Sequence, residues 1–252
     1  MKTLIAGSTS GLGKYLHNYK SFVFGNKDVL FLNRNWDVYE IQYNTIIYLI
    51  NINTGKIDDI AANQELLQKY LDLDFKNFVF ISSIDALPKS ECLYGTQKID
   101  TFEKTEGTYS NSKYESELLV TNICEKRNLK YLILRPSMIV NPFARPNSIQ
   151  KIKDNNDIRI SAESGINCVG VHSIGKFLKY AIKHELSGIF SLTSKYNTKI
   201  ATILSSLEKE LKCGDYVYQT PWIKENPTVK IEPSFGKSSL DVVLDYINYG
   251  IY

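Results

Sequence analysis

The sequence contains no long apolar run, and this excludes a membrane-spanning helix, which needs roughly 20 consecutive apolar residues. Histidine is scarce, with three scattered residues, and the four cysteines, Cys92, Cys124, Cys168 and Cys213, show no Cys-x-x-Cys spacing. That set argues against a metal site and for free thiols in a reducing cytoplasm. Basic residues form no block; the nearest approach, Lys126-Arg127 with Lys130, reads as a solvated helix end. A net charge of +3 is too small to indicate a nucleic-acid partner. Low-complexity linkers and internal repeats are also absent. The opening Met-Lys-Thr-Leu-Ile-Ala-Gly is apolar only briefly before it turns glycine-rich and polar, which suits a buried strand and turn better than a secretory signal.

The chain has 252 residues, 43% hydrophobic and 23% charged, enough for one large α/β domain or a core with a small cap. Its first half alternates short apolar runs with helical patterns. Thr3 to Ala6, Val29 to Leu32, Thr45 to Ile50, Phe78 to Ile81 and Tyr131 to Leu134 read as strands. Leu12 to Tyr19, Ile57 to Tyr70 and Ser110 to Lys126 read as helices. Continuous apolar strands separated by helices predict a doubly wound, Rossmann-like parallel sheet covered on both faces. The stretch from Asn33 to Asn44 is short for a helix and a strand, so one crossover is expected to be trimmed. Beyond Pro136 the pattern loosens. Val169-Gly170-Val171 and Ile189 to Leu192 read as strands, and His172 to His184, Thr198 to Leu211 and Ser239 to Ile247 as helices. Asp215 to Ser234 reads as irregular.

Three groups of residues carry chemistry. Gly7-Ser8-Thr9-Ser10-Gly11-Leu12-Gly13 follows the first strand and opens the first helix, the context of a dinucleotide-phosphate site: glycine lets the backbone approach a pyrophosphate and the helix start supplies N–H donors. A plain glycine turn is the alternative. The second strand ends at Asn33-Arg34, with no carboxylate until Asp37. An arginine there suits the 2′-phosphate of NADPH, or is simply a surface residue. Tyr109 and Lys113 stand four apart, on one face of a helix. The ammonium is expected to favour the phenolate and bring the tyrosine pKa down from about 10, giving a group able to exchange a proton with a carbonyl or alcohol oxygen.

Gly7-x-x-x-Gly11-x-Gly13, Ser83 at the end of an apolar run, and Tyr109-x-x-x-Lys113 together resemble the short-chain dehydrogenase/reductase superfamily. Leu134-Arg135-Pro136 through Asn141-Pro142 resembles the Arg-Pro…Gly-Pro strand and loop of its extended branch, with Asn141 in place of glycine. Val171-His172-Ser173-Ile174 and Ser187 to Leu192 resemble later elements of that branch. The resemblance covers the chain to about residue 195. It implies a catalytic set of Tyr109 as general acid/base, Lys113 as its partner and holder of the nicotinamide ribose, and Ser83, with Ser82 as a fallback, on the substrate oxygen. It implies cofactor contacts from Gly7, Ser8, Thr9, Ser10, Gly11, Leu12, Gly13, Asn33, Arg34, Asn51, Asn53, Lys113 and Pro136. Substrate contacts would come from Ser83, Asp85, Tyr109 and Arg145. Asn51 and Asn53 could equally cap a strand end, Asn63 is a weaker candidate, and Lys151 and Lys153 could meet a diphosphate or face solvent. The expected layout is an NADP-binding core over residues 1–140, with 171–195 returning to it, and a smaller substrate region over 141–170 and 196–252.

Members of the extended branch mostly act on nucleotide-linked sugars. Ile84-Asp85 replaces the Asp-Glu pair of the dehydratases, which disfavours dehydration. No histidine lies where the 3,5-epimerising reductases need one, and His172 reads as a helix-start or core residue. With Arg34 pointing to NADPH, the leading expectation is a cytoplasmic NADPH-dependent reductase of a keto group on a nucleotide-activated, 6-deoxy sugar. An NAD(P)-dependent nucleotide-sugar epimerase is the alternative, and a non-catalytic NADP-binding module is the alternative of another class. NAD is the other possible cofactor. A homodimer through the helix of the Tyr-Lys pair is implied by the resemblance, with no membrane or nucleic-acid partner.

Overall fold

Six strands hydrogen-bond in the order β10-β6-β4-β3-β1-β2, every neighbouring pair parallel. They are β1 Lys2–Ala6, β2 Val29–Leu32, β3 Tyr43–Tyr48, β4 Phe75–Ile81, β6 Lys130–Pro136 and β10 Gly188–Leu192. The computed structural model describes residues 2–33, 41–56, 58–87, 93–94, 108–144, 146–221 and 223–252. Helices α1 Gly11–Asn18, α2 Lys20–Phe24 and α6 Val171–Lys183 cover one face of the sheet, and α3 Asp58–Leu71 and α4 Thr108–Lys126 cover the other. Side chains alternate between the faces as a strand requires. Ile5, Ile47, Val79 and Leu132 join the first apolar cluster, and Leu4, Ile46, Phe78 and Ile133 the second. With both faces buried, the strands need continuous apolar runs, and for this reason they were legible.

A third apolar cluster gathers most of the remaining elements. Outside the sheet and its two helical layers lie α5 Ser148–Lys153, α7 Ile200–Ser206, α8 Ser239–Tyr249 and three short pairings. β7 Met138–Val140 runs parallel to β9 Cys168–Gly170, β8 Gly165–Ile166 pairs with β11 Thr198–Lys199, and β5 Leu93–Tyr94 pairs with β12 Ile223–Glu225.

The helix expected over Thr198 to Leu211 is corrected: it spans Ile200–Ser206 only. Glu208 takes a left-handed φ of 52°, which ends the helix. The chain then turns so that Lys209 Nζ donates to the carbonyl of Ile152 at 2.6 Å, capping α5. α8 carries a full capping box, Ser238 with Asp241, and ends on Gly250 at φ 67°. Residues 215–234, read as irregular, do contain β12, the 3-10 turn Pro227–Lys230 and the start of a second, Pro233–Gly236. No described helix is long and apolar enough to cross a membrane.

Candidate active site

The strand order reverses direction at β1: β2 lies on one side of it and β3 on the other. In a parallel sheet this switch point leaves a crevice beyond the carboxyl ends of the strands. A groove of about 280 Å³ lies there, lined by Gly7, Thr9 and Ser10 after β1 and by Ile50, Asn51 and Asn53 after β3. Gly7 takes φ 99°, which only glycine adopts without strain. A Cβ on Gly13 would stand 1.9 Å from the Gly7 carbonyl oxygen, so glycine alone lets α1 start directly against the strand end. Ser10 caps α1 in extended conformation without a side-chain bond to it, leaving first-turn amides for an anion.

Not every predicted turn residue faces this groove. Ser8 ties the turn to β2, donating from both N–H and hydroxyl to the Leu32 carbonyl at 3.2 and 3.3 Å. Gly11 donates its N–H to Phe143 O at 2.9 Å, so this amide is committed to the loop after β7. Leu12 and Gly13 instead line an adjoining cavity. Asn33 follows the end of β2, while Arg34 and Arg145, the two arginines expected to meet phosphate, lie outside the described residues.

The loop after β3 is pinned from α3. Asn63 Nδ2 donates to the carbonyls of Ile52 and Asp59 at 2.7 Å and to Ser112 Oγ at 3.0 Å, and its Oδ1 accepts from Ile52 N at 2.7 Å. Asn63 therefore holds the loop rather than a ligand. Asp59 accepts from Thr54 N and Oγ1 at 2.6 and 2.7 Å and from Gly55 N at 2.9 Å. These bonds, led by the Thr54 hydroxyl, hold its carboxyl below the usual range. Asn51 and Asn53 are thereby presented to the groove.

Beside the groove, sharing Leu49, Asn51 and Tyr109 with it, is a cavity of about 360 Å³. Ser83, Tyr109, Lys113, Asp85 and Pro136 all reach it. β4 delivers Ser83, which accepts from Asp85 N at 3.2 Å and so starts a 3-10 turn. α4 delivers Tyr109 and, one turn on, Lys113. The buried hydroxyls of Ser82 and Ser137 also line the cavity, without a hydrogen-bond partner among the described residues. Orphaned buried hydroxyls are costly, and a polar ligand would satisfy them. The glycine turn, the uncapped helix start and these hydroxyls together fit a dinucleotide.

The electrostatics differ from the sequence expectation. Burial raises the Tyr109 pKa, Asp85 adds to this, and a hydrogen bond with Ser83 only partly opposes it. The expected lowering is thus reversed. Lys113 is turned down toward the sheet, donating from Nζ to Ile81 O at 3.0 Å and standing 5.1 Å from the centre of the Phe80 ring. Burial pushes the lysine down to about 8, against the pull of Glu117, which favours the charged form.

Three further residues were given no role by the sequence. Glu117 lies one turn beyond Lys113 and is fully buried, as is Arg135 on β6. The guanidinium grips the carboxylate from Nε at 2.9 and 3.1 Å and from Nη2 at 2.5 Å. The i, i+4 step from Lys113 was a readable signal for Glu117. Tyr218 reaches the cavity from the segment read as irregular and donates its hydroxyl to Asp85 Oδ1 at 2.6 Å. Burial and the Asp85 carboxylate raise its pKa, so it remains a donor. No sequence signal marked it.

Other candidates serve the scaffold. His172 Nδ1 meets Tyr15 OH at 2.7 Å and its ring stacks on Phe22, 4.9 Å between centres. Lys151 Nζ donates to Asp157 O at 3.2 Å, and Lys153 Nζ lies 4.0 Å from the Tyr246 ring centre. Among the described residues no cluster of His, Cys, Asp and Glu could hold a metal. Cys124, Cys168 and Cys213 are free thiols.

A six-stranded parallel sheet with a glycine turn at its switch point, and Ser, Tyr and Lys on the adjoining cavity, defines an NAD(P)-dependent oxidoreductase of the short-chain dehydrogenase/reductase class. A family model for NAD-binding proteins, described as male sterility protein, matches residues 39–173, more than half of the chain. The chain belongs to that family, within the extended branch of the superfamily. No curated protein matches it in sequence. Among solved structures, the UDP-glucose 4-epimerase of Thermus thermophilus in complex with NAD superposes with a TM-score of 0.74 at 12% identity, covering 100% of each chain. The UDP-glucuronic acid 4-epimerase of Bacillus cereus, with UDP-glucuronic acid and NAD, gives 0.69 at 15% identity over 98% of this chain and 99% of that one. The dTDP-glucose 4,6-dehydratase of Bacillus anthracis, with NAD, gives 0.73 at 12% over 99% and 97%. At these identities the likeness establishes the shared fold.

Proposed function

We propose that the protein is an NAD(P)-dependent epimerase of a nucleotide-activated sugar. One observation carries this reading: Ser83, Tyr109 and Lys113 meet on a cavity that shares its wall with the dinucleotide groove. The similar structures, two of them sugar-nucleotide 4-epimerases, favour epimerisation over net reduction. Residues 1–140 and 171–195 would hold the dinucleotide, and 141–170 with 196–252 the sugar nucleotide.

A dinucleotide held by Gly7, Thr9 and Ser10 on one side and by Asn51 and Asn53 on the other would supply reversible hydride transfer at the sugar carbon. Tyr109 takes the hydroxyl proton as the carbonyl forms and gives it back as the alcohol is restored, so protons and electrons balance over one turnover. Ser83 holds the reacting oxygen beside the phenol. Lys113, which burial brings down to about 8, still carries its proton at neutral pH; one helical turn from the phenol, its charge would favour the phenolate against burial. Asp85, steadied by the Tyr218 hydroxyl at 2.6 Å, presents its carboxylate as an acceptor to a sugar hydroxyl.

The test is turnover of UDP- and dTDP-sugars followed by NMR, with the absorbance of the reduced cofactor recorded in parallel. Epimerisation predicts interconversion with no net change in that absorbance. Stoichiometric oxidation of added NADPH by a keto-sugar would replace this reading with the NADPH-dependent reductase. The reductase is the second reading, because a Tyr109 held protonated is already the acid that a ketone requires. The same framework carries a cytoplasmic homodimer through α4, where Tyr114, Leu118 and Leu119 are half-buried.

A further inference from the structure

A second cavity, of about 470 Å³, opens at the other end of the sheet. The strands are parallel and the catalytic cavity lies past their carboxyl ends, whereas this one is lined by the first residues of β3 and β6 and the early part of β4. α2 and the end of α6 form its remaining walls.

Its base has an unusual row. Thr45, Asn77 and Lys130 are register partners across three adjacent strands. Two residues further along, on the same face, the row is Ile47, Val79 and Leu132, all buried in the first apolar cluster. The sheet face under α2 and α6 therefore changes from polar to apolar across one step, and the cavity spans the step. Thr45 is only 4% exposed. Val23, Phe24, Ile182 and Leu186 complete an apolar wall opposite this base. The rim carries Lys27, Lys130, Lys179 and Lys183 against a single carboxylate, Glu185, which Lys130 already engages at 2.6 Å. Lys179, which lines the cavity, sits with Nζ 4.7 Å from the Phe22 ring centre.

A packed interior leaves few voids larger than a water molecule. A cavity of this volume with apolar walls and a few convergent polar groups is the usual form of a small-molecule site. From this geometry we infer that the cavity binds a small amphipathic organic anion, an apolar body against Val79, Leu132 and Leu186 with one carboxylate-like head among the rim lysines. The inference does not depend on the epimerase reading, since no residue of the catalytic cavity takes part.

Isothermal titration of the full chain with decanoate tests it, with decyltrimethylammonium as the cationic counterpart and 8-anilinonaphthalene-1-sulfonate displacement as a second readout. Decanoate should bind saturably at one site per chain and displace the dye, whereas the cation should give no saturable heat. Lys27→Glu/Lys183→Glu should weaken decanoate binding about tenfold, the scale of reversing two partly screened charges. Leu186→Trp, which enlarges a half-buried wall side chain just past the end of α6, should abolish it. Circular dichroism and NADPH binding, which neither variant touches, confirm that the fold is retained. Absence of saturable binding, equal binding of the cation, or unchanged affinity in Leu186→Trp would each overturn the proposal.

Discussion

Replacing Glu117 by methionine tests the least exposed ionic contact among the described residues. The substitution keeps the side-chain volume and removes the carboxylate from three contacts of 2.5, 2.9 and 3.1 Å with Arg135. Arg135 is 1% exposed, so its guanidinium cannot turn to water. Breaking a buried pair from one side costs about 3–5 kcal/mol, because the remaining charge stays desolvated without its partner. In a chain of this size each kcal/mol lowers Tm by about 2–4 °C. Glu117→Met should therefore unfold about 6–20 °C below the parent in a circular-dichroism melt. The double variant Glu117→Met/Arg135→Met removes both charges and should regain most of that loss. A single variant melting within about 2 °C of the parent would refute the reasoning, and so would a double variant no more stable than the single one. The same change removes the carboxylate that helps Lys113 hold its proton, so the lysine pKa should drop further below about 8.

Four other outcomes are expected. Tyr109→Phe should lower kcat by roughly a hundredfold or more, the usual scale of a lost acid/base group, while fluorescence titration shows NAD(P)H binding retained. Gly13→Ala places a Cβ 1.9 Å from Gly7 O and should abolish dinucleotide binding in the same titration. Tyr218→Phe removes a donor to a carboxylate, worth about 1.5–3 kcal/mol in general, and should raise KM for the sugar nucleotide more than it lowers kcat. The last concerns pH. Lys113 has a folded pKa near 8, below its unfolded value of 10.5. Between those values the unfolded chain binds the extra proton, so this group's contribution to stability rises with pH across the window. Urea unfolding at pH 7.5, 9 and 10 should show the parent gaining stability relative to Lys113→Met, and a difference independent of pH would contradict the burial of a charged Lys113.

The sheet was readable because a parallel strand covered on both faces must be apolar throughout, and the runs around Leu4, Ile46, Phe80 and Ile133 are. The glycine turn and the Tyr109–Lys113 step were readable because backbone approach and helical period impose local spacing. Helix ends were less so. Leucine periodicity continued past Ser206, but the left-handed Glu208 stopped α7, an ending set by where Lys209 finds carbonyls on α5.

What the sequence determined by itself is the fold class, the position of the glycine turn and the residue types that gather at the candidate site. All of these follow from contacts within a few residues or from a strict period. Only the tertiary structure decided their electrostatic state. Tyr109 rises instead of falling because burial outweighs the Ser83 bond, and Lys113 turns to Ile81 because the end of β4 offers a carbonyl below it. Arg135 meets Glu117 across 18 positions, and Tyr218 meets Asp85 across 133. Such partners leave no mark on local pattern, because desolvation and Coulomb terms depend on what the folded chain brings within a few ångströms and not on spacing along it.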